Sequence, residues 1–236
     1  MQDDILTQIL KNRAAKRPFV LATNLASGVQ TFLYPTENTD SSPLDLTARE
    51  ALIADQGRLL ETDEGQVFLN VFNPPLRLAV VGAVHIAQPL VQIARLANYD
   101  VTVIDPRRAF ASAERFPGIA LSHDWPDEAL LAFRPDRRSA VVTLTHDPKL
   151  DDPALVEALK SDAFYIGALG SRKTHGKRLD RLKEAGFSDA DCARIHGPVG
   201  LSIGAKSPAE IAVSIVAQIT AVLREAGSRA KAETPA

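Results

Sequence analysis

Leu76-Arg77-Leu78-Ala79-Val80-Val81-Gly82-Ala83-Val84-His85-Ile86-Ala87, followed by Val101-Thr102-Val103-Ile104-Asp105, is the stretch that decides the fold. Arg77 to Val81 and Val101 to Ile104 are apolar runs without polar alternation, the pattern of strands covered on both faces. Between them, His85 to Ala97 carries Ile86, Leu90, Ile93 and Leu96 or Ala97 at helical spacing. A strand, a glycine turn, a helix and a second strand make a βαβ unit. In a dinucleotide-binding unit of this kind one glycine makes the tight turn, a second admits the pyrophosphate, and a small residue allows close helix–strand packing. Gly82 and Ala87 meet the first and third needs, whereas Val84 occupies the second and its branched side chain crowds a pyrophosphate. Asp105 stands 23 residues after Gly82, near the spacing of a ribose-binding carboxylate. The topology is therefore Rossmann-like, and NAD(P) is weakened as its ligand by Val84. Arg107 and Arg108 either pair a further phosphate or are solvated surface arginines.

The alternation continues outward. It predicts a helix over Asp127–Phe133, a strand over Ala140–Leu144, and a helix from the Asp152-Pro153 start signal to Lys160. A strand over Ala163–Ile166, a helix over Arg172–Ala185 closed by Gly186, and a short helix over Asp189–Arg194 follow. Ser207-Pro208-Ala209-Glu210 is a capping box that opens a helix to about Arg224. The expected class is α/β, with a mostly parallel sheet wrapped by helices on both faces over 76–226. Residues 227–236 read as a frayed tail. Asn73-Pro74-Pro75 reads as a linker, because two prolines remove two backbone donors. Residues 1–73 read as a small α/β domain. Its expected helices are Asp3–Arg17 and Leu46–Gln56, the latter ended by Gly57 as a left-handed cap, after a polar loop over Thr36–Pro43. Its expected strands are Phe19–Leu25, Val29–Tyr34, Arg58–Glu61 and Val67–Phe72.

Composition excludes several classes. Lys and Arg number 27 against 29 Asp and Glu, too even for a general nucleic-acid binder. The single cysteine, Cys192, rules out an internal disulfide framework and a multi-cysteine metal cluster, and no metal site is read. The longest apolar run, Leu78 to Ile86, falls far short of the ~20 residues of a spanning helix. The start, Met1-Gln2-Asp3-Asp4, carries acids where a secretory signal carries bases, and the expected location is cytoplasmic.

Ligands of parallel sheets sit at the carboxyl ends of the strands, which selects the candidate site residues. Thr145, His146 and Asp147 end one buried strand. His146 is a candidate proton carrier with Asp147 orienting it, or else Thr145 and Asp147 only terminate the strand and cap the loop. Gly167, Gly170, Ser171 and Arg172, with Lys173, form a turn and helix start suited to an anion, or an ordinary βα turn. His196 lies in the Gly-rich run Ile195 to Lys206 and either reaches the crevice or is structural. His85, one turn into the first helix, faces either crevice or sheet. His123 reads as a surface loop residue. Cys192 reads as a small packing residue before a nucleophile.

Five segments together resemble the XdhC/CoxI family. They are Gly82-Ala83-Val84-His85-Ile86-Ala87, Val103-Ile104-Asp105-Pro106-Arg107, Leu144 to Asp152, Tyr165 to Arg172, and Ile195 to Gly204. The resemblance runs from about Leu76 to Leu223. It implies a Rossmann-like domain and an accessory role in maturing molybdenum hydroxylases such as xanthine dehydrogenase. It further implies molybdenum cofactor (molybdopterin) as transient cargo, sulfurated with the help of a cysteine desulfurase and delivered to the hydroxylase apoenzyme. Two features depart from the family pattern: Val84 replaces a frequent glycine, and the segment before Pro74 holds no cysteine where longer members carry a Gly-Gly-Cys-type motif. A short, divergent member, working beside a fuller XdhC paralogue, fits both. A nucleotide-dependent oxidoreductase and a non-catalytic interaction module are the competing readings, and a homodimer is compatible with each.

Overall fold

The structure, a computed structural model, describes residues 2–37 and 42–232. The chain divides into two compact units, Met1–Pro74 with Arg224–Ala236, and Pro75–Leu223. Part of the polar loop expected over Thr36–Pro43 lies outside the described residues.

The first unit contains α1 (Gln2–Ala14), β1 (Phe19–Asn24), β2 (Gln30–Leu33), α2 (Pro43–Ala54), β3 (Arg58–Thr62) and β4 (Gly65–Phe72). Its strands pair antiparallel in the order β2-β1-β4-β3. Val20, Ala22 and Leu69 of the sheet bury against Ala48 and Leu52 of α2. α2 starts earlier than its apolar spacing predicts, because Ser42 Oγ accepts the Asp45 amide at 3.1 Å and Pro43 is preset for a first turn. It also ends earlier. Asp55, at φ 54°, is the left-handed cap, and Gly57 is not. The Asn73 amide explains this, donating to Leu52 O at 2.9 Å and Asp55 Oδ1 at 2.8 Å and so satisfying the helix end.

The second unit runs β5 (Leu76–Val81), α3 (Ala87–Leu96), β6 (Tyr99–Ile104), β7 (Ala120–Ser122), α4 (Pro126–Phe133), β8 (Ser139–Thr143), α5 (Pro148–Leu159), β9 (Tyr165–Ala168), α6 (Arg172–Glu184), α7 (Asp189–Cys192), β10 (Ile195–His196) and the part up to Leu223 of α8 (Pro208–Ala232), whose remaining residues count with the first unit. Among the described residues its sheet has six strands in the order β10-β9-β8-β5-β6-β7, every pair parallel. Successive residues of β5 serve opposite faces. Leu78 and Val80 pack with Leu90, Ile215 and Ile219 of α3 and α8, while Ala79 and Val81 pack with Leu130 and Leu155 of α4 and α5. Burial on both faces is why these strands read as uninterrupted apolar runs. The strand order reverses between β5 and β8, which opens a crevice beyond their carboxyl ends.

Several boundaries differ from the sequence expectation. β7 and β10 are too short to announce themselves. α3 begins at Ala87, which leaves His85 in the preceding turn, exposed. α5 begins at Pro148 rather than after Asp152, with Asp147 as its N-cap and Pro153 inside the helix. α8 continues to Ala232, so the stretch expected as a tail is helical that far, and 233–236 lie outside the described residues.

Candidate functional site

The turn after β5 is held by Thr145 and Asp105. Gly82 adopts φ 106°, and a Cβ there would stand 2.5 Å from Thr145 Cγ2, so the turns after β5 and β8 touch. The Ala83 amide donates to Asp105 Oδ2 at 2.8 Å. Asp105 is fully buried. Its Oδ1 accepts from the Arg107 amide and Nε, both at 2.9 Å, and its Oδ2 accepts from Arg107 Nη2 at 2.8 Å. Both oxygens are occupied and no surface is open. The ribose contact expected of Asp105 is therefore not available to it, and its carboxylate braces the turn instead. Arg107 is spent on this pair and lies over the Phe110 ring at 4.4 Å. Arg108 is exposed, and half-buried His123 approaches Asp105 O at 3.5 Å.

Burial alone would raise the Asp105 pKa. The Arg107 guanidinium and the Ala83 and Arg107 amides outweigh it and hold the carboxyl below its ordinary value. A depressed folded-state pKa gives stability that is present above the unfolded value, about 3.9, and lost as pH falls through the folded one. Asp105→Asn is accordingly expected to lower stability at neutral pH and to flatten the acid limb of a urea-midpoint profile. An unchanged acid limb would show that this carboxylate does not carry the acid sensitivity.

The turn after β8 is organised by Asp151, a residue the sequence reading passed over. Asp151 Oδ1 accepts from the Thr145 hydroxyl at 2.6 Å and the Thr145 amide at 3.2 Å, and Oδ2 accepts from the His146 amide at 3.1 Å. Arg178 Nη2 reaches Oδ2 at 3.4 Å and donates to Leu169 O at 2.9 Å. Asp151 and Arg178 are 1% and 2% exposed. Burial pushes Asp151 up, against the pull of the Thr145 hydroxyl and Arg178, and burial pushes Arg178 down. Asp147 does not orient His146 as expected. Its carboxylate accepts the Lys149 amide at 2.9 Å and caps α5. Asp151 is instead the carboxylate bound to residue 146, through the main chain. This clamp holds His146 at φ 63° with its ring exposed.

The turn after β9 meets the same place. His146 Nδ1 lies 3.8 Å from the Cβ position of Gly170. Ser171 caps α6 by accepting the Thr174 amide at 3.1 Å. Thr145, His146, Gly170 and Ser171 are thus brought together. Between the N-terminal halves of α5 and α6 lies a cavity of about 310 Å³, lined by His146 and by Lys173, Lys177, Arg178 and Arg181 among others. Arg172 is exposed and is not in its lining.

Two expected contacts prove to be packing. Gly167 lies inside β9 rather than in the turn and pairs with Val142 and His196. A Cβ on it would meet Val199 at 2.6 Å and the Tyr165 ring at 2.8 Å. His196 stacks on the Tyr165 ring at 4.7 Å, and Tyr165 donates its hydroxyl to Gln218 Oε1 at 2.6 Å. Cys192 is buried in the apolar layer beside Leu182 and Ile195, and burial pushes its thiol up. Among the described residues no group of three or more His, Cys, Asp or Glu is placed to hold a metal ion, and no helix is long and apolar enough to cross a membrane.

Comparison with known proteins agrees with this architecture. Escherichia coli K12 YqeB, an uncharacterized protein, is 34% identical over 164 residues, which are 68% of this chain and 30% of YqeB. The E. coli molybdenum cofactor insertion chaperone PaoD is 32% identical over 151 residues, 64% of this chain and 41% of PaoD. A Bacillus subtilis 168 protein, named as a probable xanthine dehydrogenase subunit, is 32% identical over 154 residues, 65% and 44% of the two chains. The chain therefore spans less than half the length of these curated relatives. A Bacillus halodurans crystal structure, named as a xanthine dehydrogenase, superposes with a TM-score of 0.71 at 26% identity, covering 98% of this chain and 69% of that one. The XdhC Rossmann domain family matches residues 78–219, and with the parallel sheet, the Gly82 turn and the turns after β8 and β9 all inside that span, the chain belongs to the XdhC family.

Proposed function

We propose that this chain serves the maturation of molybdenum hydroxylases by holding the molybdenum cofactor, or a related nucleotide, while the cofactor is sulfurated or inserted into its apoenzyme. The observation that carries this reading is the meeting of His146 with the Gly170–Ser171 turn at the crevice edge, beside a cation-lined cavity. Exposed His146 offers the cargo a hydrogen-bonding ring, held in place by the clamp on its amide. The start of α6 and Arg172 offer positive potential to a phosphate. The relative PaoD, named as a molybdenum cofactor insertion chaperone, supports the same cargo.

Cys192 is a poor sulfur carrier, because it is buried and its thiol is pushed up. In this reading the sulfur comes from a cysteine of a partner, such as a cysteine desulfurase or a fuller XdhC paralogue, and this chain supplies the cradle. Asp105 and Arg107 act as positioning residues for the Gly82 turn. A nucleotide-dependent oxidoreductase finds less support, since the Asp105 carboxylate is already engaged.

The test is retention of molybdenum cofactor, released from a donor enzyme and measured through the fluorescence of its oxidised pterin after gel filtration. The wild-type chain is expected to retain it, and His146→Ala with Arg172→Ala to lower retention about tenfold, equivalent to about 1.4 kcal/mol. Retention no better than that of an unrelated protein would overturn the reading and favour an interaction module.

A further inference from the structure

We propose that the cavity between α5 and α6 is a binding site for a phosphate monoester dianion, and that buried Arg178 is the charge that recruits it. The cavity shares His146 with the turn at Gly170 to Arg172 and is lined along α6 from Lys173 to Arg181.

The first observation is an incompletely paired buried cation. Arg178 is 2% exposed, yet its Nε and Nη1 have no hydrogen-bond partner. A buried guanidinium is normally paired and fully bonded, because leaving donors unsatisfied costs free energy that a core rarely tolerates. Asp151 does not complete the pairing. Its oxygens already serve Thr145 and His146, and it meets Arg178 through one nitrogen at 3.4 Å, outside the usual 2.7–3.2 Å range for such bonds. The Arg178 charge is thus met at the cavity wall by one long carboxylate contact and by Asp152 nearby, not by a full bidentate pair.

The second observation is the rest of the lining. Lys173 and Lys177 stand one helical turn apart on the same face of α6 and have no carboxylate partner among the described residues. Arg181 is held by Asp152, with Nη2 donating to Oδ1 at 2.9 Å, so that pair is internally neutral. Four cations therefore face two carboxylates, and each carboxylate is already occupied. The N-terminal halves of α5 and α6 flank the space, and both helix dipoles favour negative charge there.

Together these features select the ligand. A surplus of positive charge in a concave space suits a dianion better than a single carboxylate. A volume of about 310 Å³ sits at the small end of ligand pockets, roughly 300–1,000 Å³, and accommodates a phosphate with part of its ester group. The cavity meets the charge of Arg178 more than its hydrogens, because Nε and Nη1 are shielded from solvent. A bound oxyanion would answer that charge while the exposed Lys173 and Lys177 ammonium groups supply the N–H donors. This site deepens the reading above by assigning the phosphate of the cargo a place, but its test does not require that cargo.

The test is calorimetric titration of the whole chain with inorganic phosphate and with cytidine 5′-monophosphate, at pH 7.5 and fixed ionic strength against chloride. Saturable binding of both is expected. The surface double variant Lys173→Gln/Lys177→Gln, which leaves the buried pair intact, is expected to weaken both about tenfold. The charge-removing pair Arg178→Met/Asp151→Asn is expected to abolish both, with circular dichroism confirming the fold. If that pair fails to fold, the lysine variant decides alone. Phosphate binding no tighter than chloride, or equal affinity in the lysine variant, would overturn the site. Binding of phosphate without the nucleotide would overturn the monoester assignment. Phosphate binding with no cofactor retention would sink only the maturation reading, and cofactor retention without phosphate binding would sink only this one.

Discussion

Gly82→Ala is expected to lower the unfolding free energy by about 4 kcal/mol, although it adds a single methyl group. Two independent costs combine. At φ 106° any L side chain is strained, and the new Cβ would stand 2.5 Å from Thr145 Cγ2, closer than van der Waals contact allows. The clash cannot be relieved outward, because the Thr145 hydroxyl is fixed on Asp151 at 2.6 Å and its amide on the same carboxylate. Urea denaturation reads the effect as a fall in midpoint with little change in slope. The second variant, Thr145→Ser, separates the costs. It removes Cγ2 and keeps the hydroxyl, so the double variant should recover the steric part and retain the backbone part, a coupling of about 1–2 kcal/mol. A Gly82→Ala protein within about 0.5 kcal/mol of wild type would show that the β5 turn is freer than this geometry allows.

Asp151→Ala is expected to cost about 4 kcal/mol for a different reason. The change deprives the Thr145 amide and hydroxyl and the His146 amide of their acceptor, and leaves Arg178, 2% exposed, without a carboxylate. Breaking one side of a buried ion pair typically costs about 3–5 kcal/mol, because the remaining charge stays desolvated. Asp151→Asn keeps one acceptor oxygen and should cost about half as much. Since the clamp holds His146 at φ 63°, either variant should also lower cofactor retention. A thermal or urea midpoint matching wild type in Asp151→Ala would show that the network is idle.

The two buried aspartates respond to pH in opposite directions. The folded-state pKa of Asp151 is raised, first by burial. Its contribution to stability is therefore present below the unfolded value and lost as pH rises through the folded one. Asp105 contributes above its unfolded value and loses that contribution in acid. The opposition arises from partners. Asp105 has a bidentate arginine, whereas Asp151 has one long contact to a guanidinium that is itself buried.

Most of the second unit was legible in the sequence because its signals are local. Apolar runs mark strands buried on both faces, Gly82 marks a tight turn, Gly186 closes one helix, and Ser207 to Glu210 opens another. The start of α5 is offered by two equivalent Asp-Pro signals, and the structure uses the earlier one. Asp147-Pro148 and Asp152-Pro153 offer the same cap and the same preset proline, and local chemistry does not rank them. The earlier one prevails where Asp151, inside the helix, can reach the Thr145 and His146 amides. That choice places Pro153 inside α5, where its missing N–H forfeits a helix bond.

The remaining misreadings share one cause. Gly167 looked like a phosphate-binding glycine, yet it is small because Val199 and Tyr165 close over it. Arg178 stands among the many charges of polar α6, yet it is buried against a carboxylate 27 residues away. Backbone preferences act over a few residues, so the order of strands and helices, the Gly82 turn and the XdhC kinship can be read along the chain. The partners of Asp105, Asp151 and Arg178, and with them the charge left over in the cavity, depend on which turns the β8–β5–β6 sheet order sets side by side. Side-chain pairing at that distance is settled only when the apolar layers pack and bring those turns together.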